Sequence, residues 1–203
     1  MKTYNILPAA CPVPALSNTR FYPVNGEWAL IEDYPWGNYY TPDARANVIH
    51  DGEGLYVTMF AKEERISAHE TAFGGAVCRD SCLEFFFNPA PKAQNKYINI
   101  ETNPRGTMHI GVGEARENRT VLTVMPEMRL SKTGHVDGTW AIRYFVPFAL
   151  MKELTGAEHE TRMLGNFYTC DETIHPHFGT WAPVSAPRPD FHRPEFFGEL
   201  ILK

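Results

Sequence analysis

The feature that most constrains the fold is the run of residues 82–87, Cys-Leu-Glu-Phe-Phe-Phe, which two prolines follow almost at once. Aromatic and apolar residues in a short run ended by proline are typical of a β-strand. Side chains of a strand alternate between its two faces, so one face is purely apolar. That face consists of Leu83, Phe85 and Phe87. The run therefore predicts a strand with one face in a hydrophobic core.

Glu84 lies on the other face of this predicted strand, between Cys82 and Phe86. Burying an unpaired charge is very costly. The carboxylate must therefore lie at a sheet edge, beside a polar partner, or in a cleft. Glutamate is mostly exposed in folded proteins. The sequence leaves two interpretations open: a solvated side chain on the open face of a sheet, or part of a concave polar site.

Size and composition predict one globular domain over residues 1–203, with residues 1–20 as an extended, proline-rich lead-in. The chain has 203 residues, 43% hydrophobic and 13% aromatic, which excludes a disordered chain. A net charge of −5 without a basic stripe argues against a nucleic-acid partner. No window reaches the ~18 apolar residues of a membrane span, so we expect no membrane partner.

The four cysteines, Cys11, Cys78, Cys82 and Cys170, form no recognisable metal-binding or redox motif. Cys78 and Cys82 are four residues apart in a strand-like context, where a disulfide within one strand is geometrically awkward. The N-terminus also lacks the apolar stretch of a signal peptide. These features predict four reduced thiols and a cytoplasmic location.

Short apolar or alternating segments separated by turn residues recur along the whole chain. Besides the central strand, predicted strands cover residues 44–49, 55–61, 96–102, 107–112, 121–128, 138–146, 164–170 and 196–202. The one helical candidate, residues 148–154, ends before Gly156, and residues 63–78 are expected to form a surface loop. Many short strands with very little helix predict an antiparallel, immunoglobulin- or jelly-roll-like β-sandwich. Its expected core residues include Trp28, Phe85, Phe87 and Trp140.

Several of these motifs resemble family 9-like carbohydrate-binding modules, which belong to the wider group of DOMON-like β-sandwiches. The motifs are Trp28, Leu55-Tyr-Val, Asp80-Ser-Cys-Leu-Glu-Phe-Phe-Phe, Tyr97-Ile-Asn-Ile-Glu with Asn103 and Gly106, and Trp140-Ala-Ile-Arg-Tyr-Phe-Val-Pro-Phe. The segments that begin at Gly165, His175 and Pro189 resemble the short bacterial branch of the family. The resemblance covers the chain from about Trp28 to its end, and it implies a β-sandwich that binds mono- or oligosaccharides without catalysis.

The resemblance also implies a site in which two tryptophans clamp a terminal sugar. A carboxylate, an amide and an arginine bind its hydroxyls, and calcium ions support the structure. The candidate ligand-binding residues are Trp181, Glu84, Arg105, Asn99 and His177. The early tryptophan is expected just before Asp80, where this chain has Val77-Cys78-Arg79. The second ring would then come from Phe73 or from the loop at residues 34–40.

Three alternatives remain open from the residues alone. Trp181 either stacks on a sugar or closes the end of the sandwich, in which case the domain has a structural or protein-interaction role. Residues between Cys170 and His192 offer zinc-type ligands, but His175-Pro-His177 lacks the usual spacing, which favours a histidine-lined wall. Finally, a carboxylate pair for glycoside hydrolysis would join Glu84 to another acidic residue. The candidate partners are Asp80, Glu101 and Glu172.

Overall fold

The structure is a computed structural model that describes residues 1–9, 13, 25–37, 39–132 and 137–203. Its strands are β1 (Thr3–Pro8), β2 (Ala29–Ile31), β3 (Asp43–His50), β4 (Gly54–Lys62), β5 (Cys82–Asn88), β6 (Tyr97–Thr102), β7 (Met108–Gly113), β8 (Arg119–Val121), β9 (Arg129–Lys132), β10 (Thr139–Pro147), β11 (Arg162–Asp171), β12 (His177–Thr180) and β13 (Gly198–Leu202). Helix α1 covers Phe148–Thr155.

The strands form two sheets that pack face to face. The first sheet has the order β8-β7-β6-β5-β11-β13, and β12 also pairs with β11. The second sheet has the order β3-β4-β10-β9, and β2 also pairs with β3. Every pairing within these sheets is antiparallel, which confirms the predicted sandwich.

Strand β1 joins the two sheets. Its first half runs parallel to β13, with Thr3 opposite Glu199, and its end runs parallel to β3, with Leu7 opposite Ile49. Tyr4 and Ile6 point into the core. Residues 3–8, expected to be part of a lead-in, are therefore a structural strand. The remaining lead-in positions 10–12 and 14–20 lie outside the described residues.

The main core lies between the two sheets. Phe85, Phe87 and Trp140 are fully buried in it, as predicted. The prediction for Trp28 is wrong, because this ring is only half-buried. It packs beside the partly exposed Phe60 of β4, with ring centroids 6.5 Å apart.

The boundaries of most strands agree with the sequence prediction to within a few residues. The clear exception is the strand expected at residues 121–128, since β8 ends at Val121 and β9 begins only at Arg129. Pro126 lies in the gap, and proline cannot donate a hydrogen bond to a strand ladder. Residues 63–78 form the predicted irregular connection, which ends in a short 3-10 turn over Val77–Arg79.

Helix α1 lies where the sequence predicted it and ends at Gly156, whose φ of 83° is in the left-handed region. Glycine adopts this conformation without a Cβ penalty, so it ends helices well. Among the described residues, no helix is long and apolar enough to cross a membrane.

The other face of the first sheet is covered by residues 182–197, which we call the covering segment. Asn166 of β11 holds this segment, because its Nδ2 donates to Ala182 O and its Oδ1 accepts from Ala182 N, both at 2.8 Å. Apolar side chains of the segment then form a second, smaller cluster with Cys82, Phe86 and other residues on this face. A cleft remains beside this cluster.

Candidate functional site

The floor of the cleft is a row of side chains from neighbouring strands of the first sheet. Glu84, Glu101 and His109 are directly opposite one another across β5, β6 and β7, and Tyr168 of β11 continues the row beneath Phe191, outside the cleft lining. Opposite residues point to the same face. The cleft has a volume of about 210 Å³. It is lined by Ala76, Cys78, Glu84, Glu101, His109, Arg116, Arg119, Cys170, Glu172, Phe178, Pro189, Asp190, Phe191 and His192.

Glu84 and Glu101 form a buried carboxyl pair in this floor, with exposures of 2% and 5%. Oε1 of Glu84 accepts from the Cys170 thiol at 3.1 Å, and Oε1 of Glu101 accepts from Asn99 Nδ2 at 2.9 Å. Burial raises the pKa of Glu84 well above its ordinary value, and the neighbouring Glu101 adds to that increase. Burial also raises the pKa of Glu101, an effect that His109 and Arg119 oppose. Burial and mutual repulsion thus both favour the neutral, protonated form of these carboxyls.

Two arginines face this carboxyl pair from the side of β7 and β8. Arg116 is held by Asp190, with Nη2 2.8 Å from Oδ1. Arg119 Nη1 lies 2.8 Å from Nδ1 of His192. Burial lowers the pKa of His192, and the two arginines lower it further, so its imidazole is neutral and accepts hydrogen bonds. The guanidinium groups are thus fixed in place by the covering segment.

Gly111 of β7 provides room for this arrangement. A Cβ at this position would lie 2.5 Å from Asn99 Oδ1 and 3.3 Å from Arg119 Cδ. The absence of a side chain therefore lets the amide of Asn99 and the stem of Arg119 approach each other beneath the carboxyl pair.

Two phenylalanines form the aromatic wall of the cleft. Phe178 of β12 is opposite Cys170 and is half-buried, and Phe191 of the covering segment stacks on Tyr168 with centroids 4.2 Å apart. Trp36 packs behind both rings, with centroid distances of 6.4 Å to Phe178 and 5.9 Å to Phe191. Its Nε1 donates to Ala186 O at 2.8 Å. Phe178 thus presents a braced ring to the cleft.

The structure brings together two of the five predicted site residues. Glu84 lies in the cleft floor, and the fully buried Asn99 lies behind it as the hydrogen-bond donor to Glu101. Arg105 does not line the cleft, since its Nε donates to the backbone carbonyl of Ala68 in a different loop. It therefore does not meet Glu84 as the resemblance implied.

The other two predicted residues also lie outside the cleft lining. Trp181 is 5% exposed and packs edge-on against Phe167 at 5.5 Å and Tyr4 at 6.4 Å, so its ring belongs to the main core. His177 is 2% exposed and its Nδ1 lies 2.8 Å from His175 O. His177 and Phe178 are successive residues of β12, so their side chains point to opposite faces of the strand. Phe178 lines the cleft, and His177 therefore points away from it.

The expected replacements for the early tryptophan are not in the cleft lining either. Phe73 packs against the main core, and Tyr40 stacks on His175 with centroids 3.6 Å apart. The segment that takes the tryptophan's place instead contributes the thiol of Cys78. From the loop at residues 34–40, Trp36 supports the cleft indirectly through the two phenylalanines.

Asp80 has a structural role. Its carboxylate accepts hydrogen bonds at 2.8–3.0 Å from Ser67 Oγ, His69 N, Glu70 N and Asn103 Nδ2. These bonds pin the irregular connection before β5. Both oxygens are already engaged by protein donors, so Asp80 offers no vacant carboxylate to a calcium ion. It is also not part of the cleft, which rules it out as the carboxyl partner of Glu84.

The described residues bring together one group of three side chains suited to holding a metal, namely Cys82, Glu84 and Cys170. Two of its three ligands are thiols, whereas calcium takes oxygen ligands. This group therefore does not fit the structural calcium implied by the resemblance. His175 and His177, which the sequence offered as alternative zinc-type ligands, are not part of it.

Sequence analysis missed several residues of the cleft. Glu101 had been weighed as a carboxyl partner of Glu84, and the register of the predicted hairpin at residues 96–112 would have placed His109 opposite it. Arg116 and Arg119 lie in a polar segment without strand periodicity, and nothing in the sequence pairs them with the covering segment. Phe178 lies in the segment beginning at His175 that carries the family resemblance, but it was not selected as a binding residue.

A two-sheet antiparallel sandwich with a polar, aromatic-walled cleft on one sheet is compatible with the class of carbohydrate-binding modules, and the sequence profile decides the family. The sequence profile of carbohydrate-binding family 9 matches residues 21–202. The chain belongs to this family, as its motifs indicated. No curated protein sequence matches it.

Solved structures share the fold. A Bacteroides uniformis protein, provisionally described as carbohydrate-binding, superposes with a TM-score of 0.81 at 24% identity, covering 100% of this chain and 99% of that one. A family 9 carbohydrate-binding module from Caldicellulosiruptor kristjanssonii in complex with glucose superposes with a TM-score of 0.65 at 13% identity, covering 100% of this chain and 96% of that one. A family 9 module from the same organism in complex with cellotriose superposes with a TM-score of 0.65 at 12% identity, covering 100% of this chain and 94% of that one.

Proposed function

We propose that the chain binds the terminal unit of a carbohydrate in the cleft above Glu84 and Glu101, without chemical conversion. The observation that carries this proposal is the carboxyl pair in the cleft floor beside the half-buried ring of Phe178. Sugars present hydroxyls around an apolar ring face. Carboxylates and guanidinium groups form the stronger, charge-assisted hydrogen bonds to hydroxyls, and an aromatic ring packs against the apolar face.

The volume of the cleft supports a small ligand. At about 210 Å³ it is smaller than the ~300–1,000 Å³ of typical ligand pockets. One sugar unit, or the end of a longer glycan, suits this space better than a chain that passes through it. Both Caldicellulosiruptor complexes contain glucose units, so glucose and short cello-oligosaccharides are the first ligands to test.

The arrangement of Glu84 and Glu101 argues against these two carboxyls acting as a hydrolytic pair. Hydrolytic carboxyls flank the scissile bond, so that one protonates the leaving oxygen while the other acts from the far side of the sugar. Glu84 and Glu101 are direct neighbours on adjacent strands of a single floor. Both carboxyls would therefore contact the same side of a bound sugar.

Calorimetric titration with glucose, cellotriose and a panel of other mono- and oligosaccharides tests the proposal. Phe178→Ala should weaken binding at least about tenfold, because aromatic anchors in binding sites often contribute ~2 kcal/mol. Glu84→Gln should weaken it less, since the amide still accepts one hydrogen bond. Arg105→Ala is the matched control, because this arginine lies outside the cleft lining.

Binding that is unchanged in Phe178→Ala, or that falls equally in Arg105→Ala, would contradict the proposed site. If no sugar binds the wild-type protein, the cleft serves another ligand. Thermal melts of each variant separate these outcomes from unfolding.

A further inference from the structure

At the β11 side of the cleft floor lies a group of three side chains that sugar binding does not explain. Cys82 of β5 is directly opposite Cys170 of β11, and Glu84 is two residues further along β5 on the same face. One ligand atom from each of the three residues lies within 4.8 Å of the other two, and all three side chains are buried. Glu84 and Cys170 also line the cleft, whereas Cys82 does not.

We propose that this group, Cys82, Glu84 and Cys170, binds one thiophilic divalent cation of the zinc class, with a fourth coordination position open to the cleft. This site is separate from the proposed sugar contacts except for Glu84. It does not depend on the proposed function, because two of its three ligands have no part in it.

The types of ligand favour a zinc-class ion. Thiolates are soft ligands that select zinc and similar metals over calcium and magnesium. Three protein ligands with one open position are the usual arrangement when zinc keeps a site for water or another ligand. Binding would displace the protons of both thiols and of the Glu84 carboxyl to solvent, and the two thiolates and the carboxylate would coordinate the cation.

The spacing of the ligand atoms also fits. With Zn–S distances of ~2.3 Å and Zn–O distances of ~2.0–2.2 Å, ligand atoms of a tetrahedral site lie about 3.5–3.8 Å apart. The group lies within 4.8 Å, so a contraction of at most about 1.3 Å would complete it. Cys170 Sγ and Glu84 Oε1 are 3.1 Å apart and would move about 0.5 Å away from each other.

The strands make the group rigid. Cys82 and Glu84 are on β5, which pairs with β6 on one side and β11 on the other, and Cys170 is paired with both β5 and β12. Ligands on paired central strands are held more precisely than ligands on loops. The open side faces the cleft, which gives an ion a path to the site.

The experiment is a titration of the metal-free protein with Cd²⁺ in a buffer that contains a phosphine reductant, which keeps the thiols reduced. Cadmium bound to thiolates gives an ultraviolet sulfur-to-metal charge-transfer band. All proteins carry Cys11→Ala, so that the one cysteine outside the described residues cannot contribute. We expect the band to saturate at one equivalent of Cd²⁺ and to be bleached by excess Zn²⁺.

Two variants identify the ligands and one serves as control. Removing a group that only orients a metal ligand already costs ~10–100-fold in affinity, so Cys82→Ala and Cys170→Ser should each weaken Cd²⁺ binding at least about tenfold. Cys78→Ala is the control and should bind as tightly as wild type. Its thiol lines the same cleft but is not in the group.

No saturable band in the wild type, or equal binding by all three variants, would overturn the proposal, and a thermal melt confirms that each variant is folded. Sugar titrations of Cys82→Ala distinguish a failure of the metal proposal from a failure of the sugar-binding proposal. This variant should lose the metal and bind sugar normally in metal-free buffer, because Cys82 does not line the cleft.

Discussion

Trp181 packs with Tyr4 and Phe167 at the end of the main core, and Gly198 makes room for its ring. A Cβ at Gly198 would lie 2.5 Å from Cζ3 of the indole. Trp181→Ala should therefore leave a cavity and lower the free energy of unfolding by about 3–5 kcal/mol, as large-to-small core substitutions do. Urea denaturation monitored by circular dichroism measures this loss.

The comparison variant is Phe178→Ala, whose ring is half-buried in the cleft wall. It should lose much less stability than Trp181→Ala while losing more of the sugar affinity measured in the folded state. A Trp181→Ala protein that is as stable as the wild type would show that the indole does not hold the core together.

Glu63 is a buried carboxyl in the main core that gives the stability a dependence on pH. Its oxygens accept from Ser81 Oγ at 2.6 Å and from Trp140 Nε1 at 2.8 Å. Burial raises the pKa of Glu63 from its ordinary 4.5 to about 7, although both hydrogen bonds act in the opposite direction. The folded protein thus holds this proton more tightly than the unfolded chain. The stabilisation is fully present below pH 4.5 and is lost as the pH rises through about 7.

Melting temperatures from pH 5 to pH 8 test this effect. Wild-type stability should fall over this range, and Glu63→Gln, which is neutral at every pH, should show a smaller fall. Glu64→Gln is the control, since this neighbour is exposed. Parallel profiles for wild type and Glu63→Gln would mean that Glu63 does not change its protonation there.

For individual residues, the sequence predicted the direction of some side chains correctly and of others incorrectly. Alternation within β5 was enough to put Phe85 and Phe87 in the core and Glu84 on the opposite face. It was not enough for Trp181 or Arg105, because a residue in a loop has no periodicity that fixes its direction. Their directions depend on contacts with Tyr4 and Ala68, which are far away in the chain.

The covering segment is the element that turns one face of the first sheet into a cleft. Asn166→Ala would remove both side-chain hydrogen bonds to Ala182 and leave its N–H and C=O groups without these partners in a buried position. Each unsatisfied group costs ~1–3 kcal/mol, so the free energy of unfolding should fall by about 2 kcal/mol or more. Sugar affinity should fall as well, because Phe191 and His192 are on the same segment.

Urea denaturation and calorimetry measure these two effects. Asn95→Ala, at an exposed position, should change the free energy of unfolding by no more than about 0.5 kcal/mol. If Asn166→Ala behaves like Asn95→Ala, the covering segment is held by its apolar contacts alone.

Elements with strong local patterns were predictable from the sequence. The hairpins β3–β4 and β6–β7 and helix α1 combine periodic side chains with glycine turns or a glycine cap, and they were found with nearly correct bounds. Strands β1, β2, β9 and β12 were missed. β12 has only four residues, and β1 is stabilised by β13 and β3 from distant parts of the chain. The cleft was only partly predictable for the same reason, since its lining residues 189–192 come from the covering segment, which is distant in the chain from β5 and β6.

For the whole molecule, the thiols are a testable property. Cys78, Cys82 and Cys170 are free in the structure, and Cys11 lies outside the described residues. We expect thiol titration of the unfolded, unreduced protein to find four thiols. In the native protein, Cys82 and Cys170 should react slowly because both are buried. A count of two in the unfolded protein would reveal a disulfide.

The position of β1 between the two sheets has a consequence for how the chain folds. Thr3 pairs with Glu199, which is 196 residues away. Chains dominated by such distant pairings fold slowly, because the entropy of closing a long loop must be overcome first. In the folded protein, β13 lies between β1 and β11 and pairs with both. During synthesis, neither β1 nor β11 can form these pairings until β13 has left the ribosome. In this interval the nascent chain exposes unpaired strand edges, and it is then most vulnerable to aggregation.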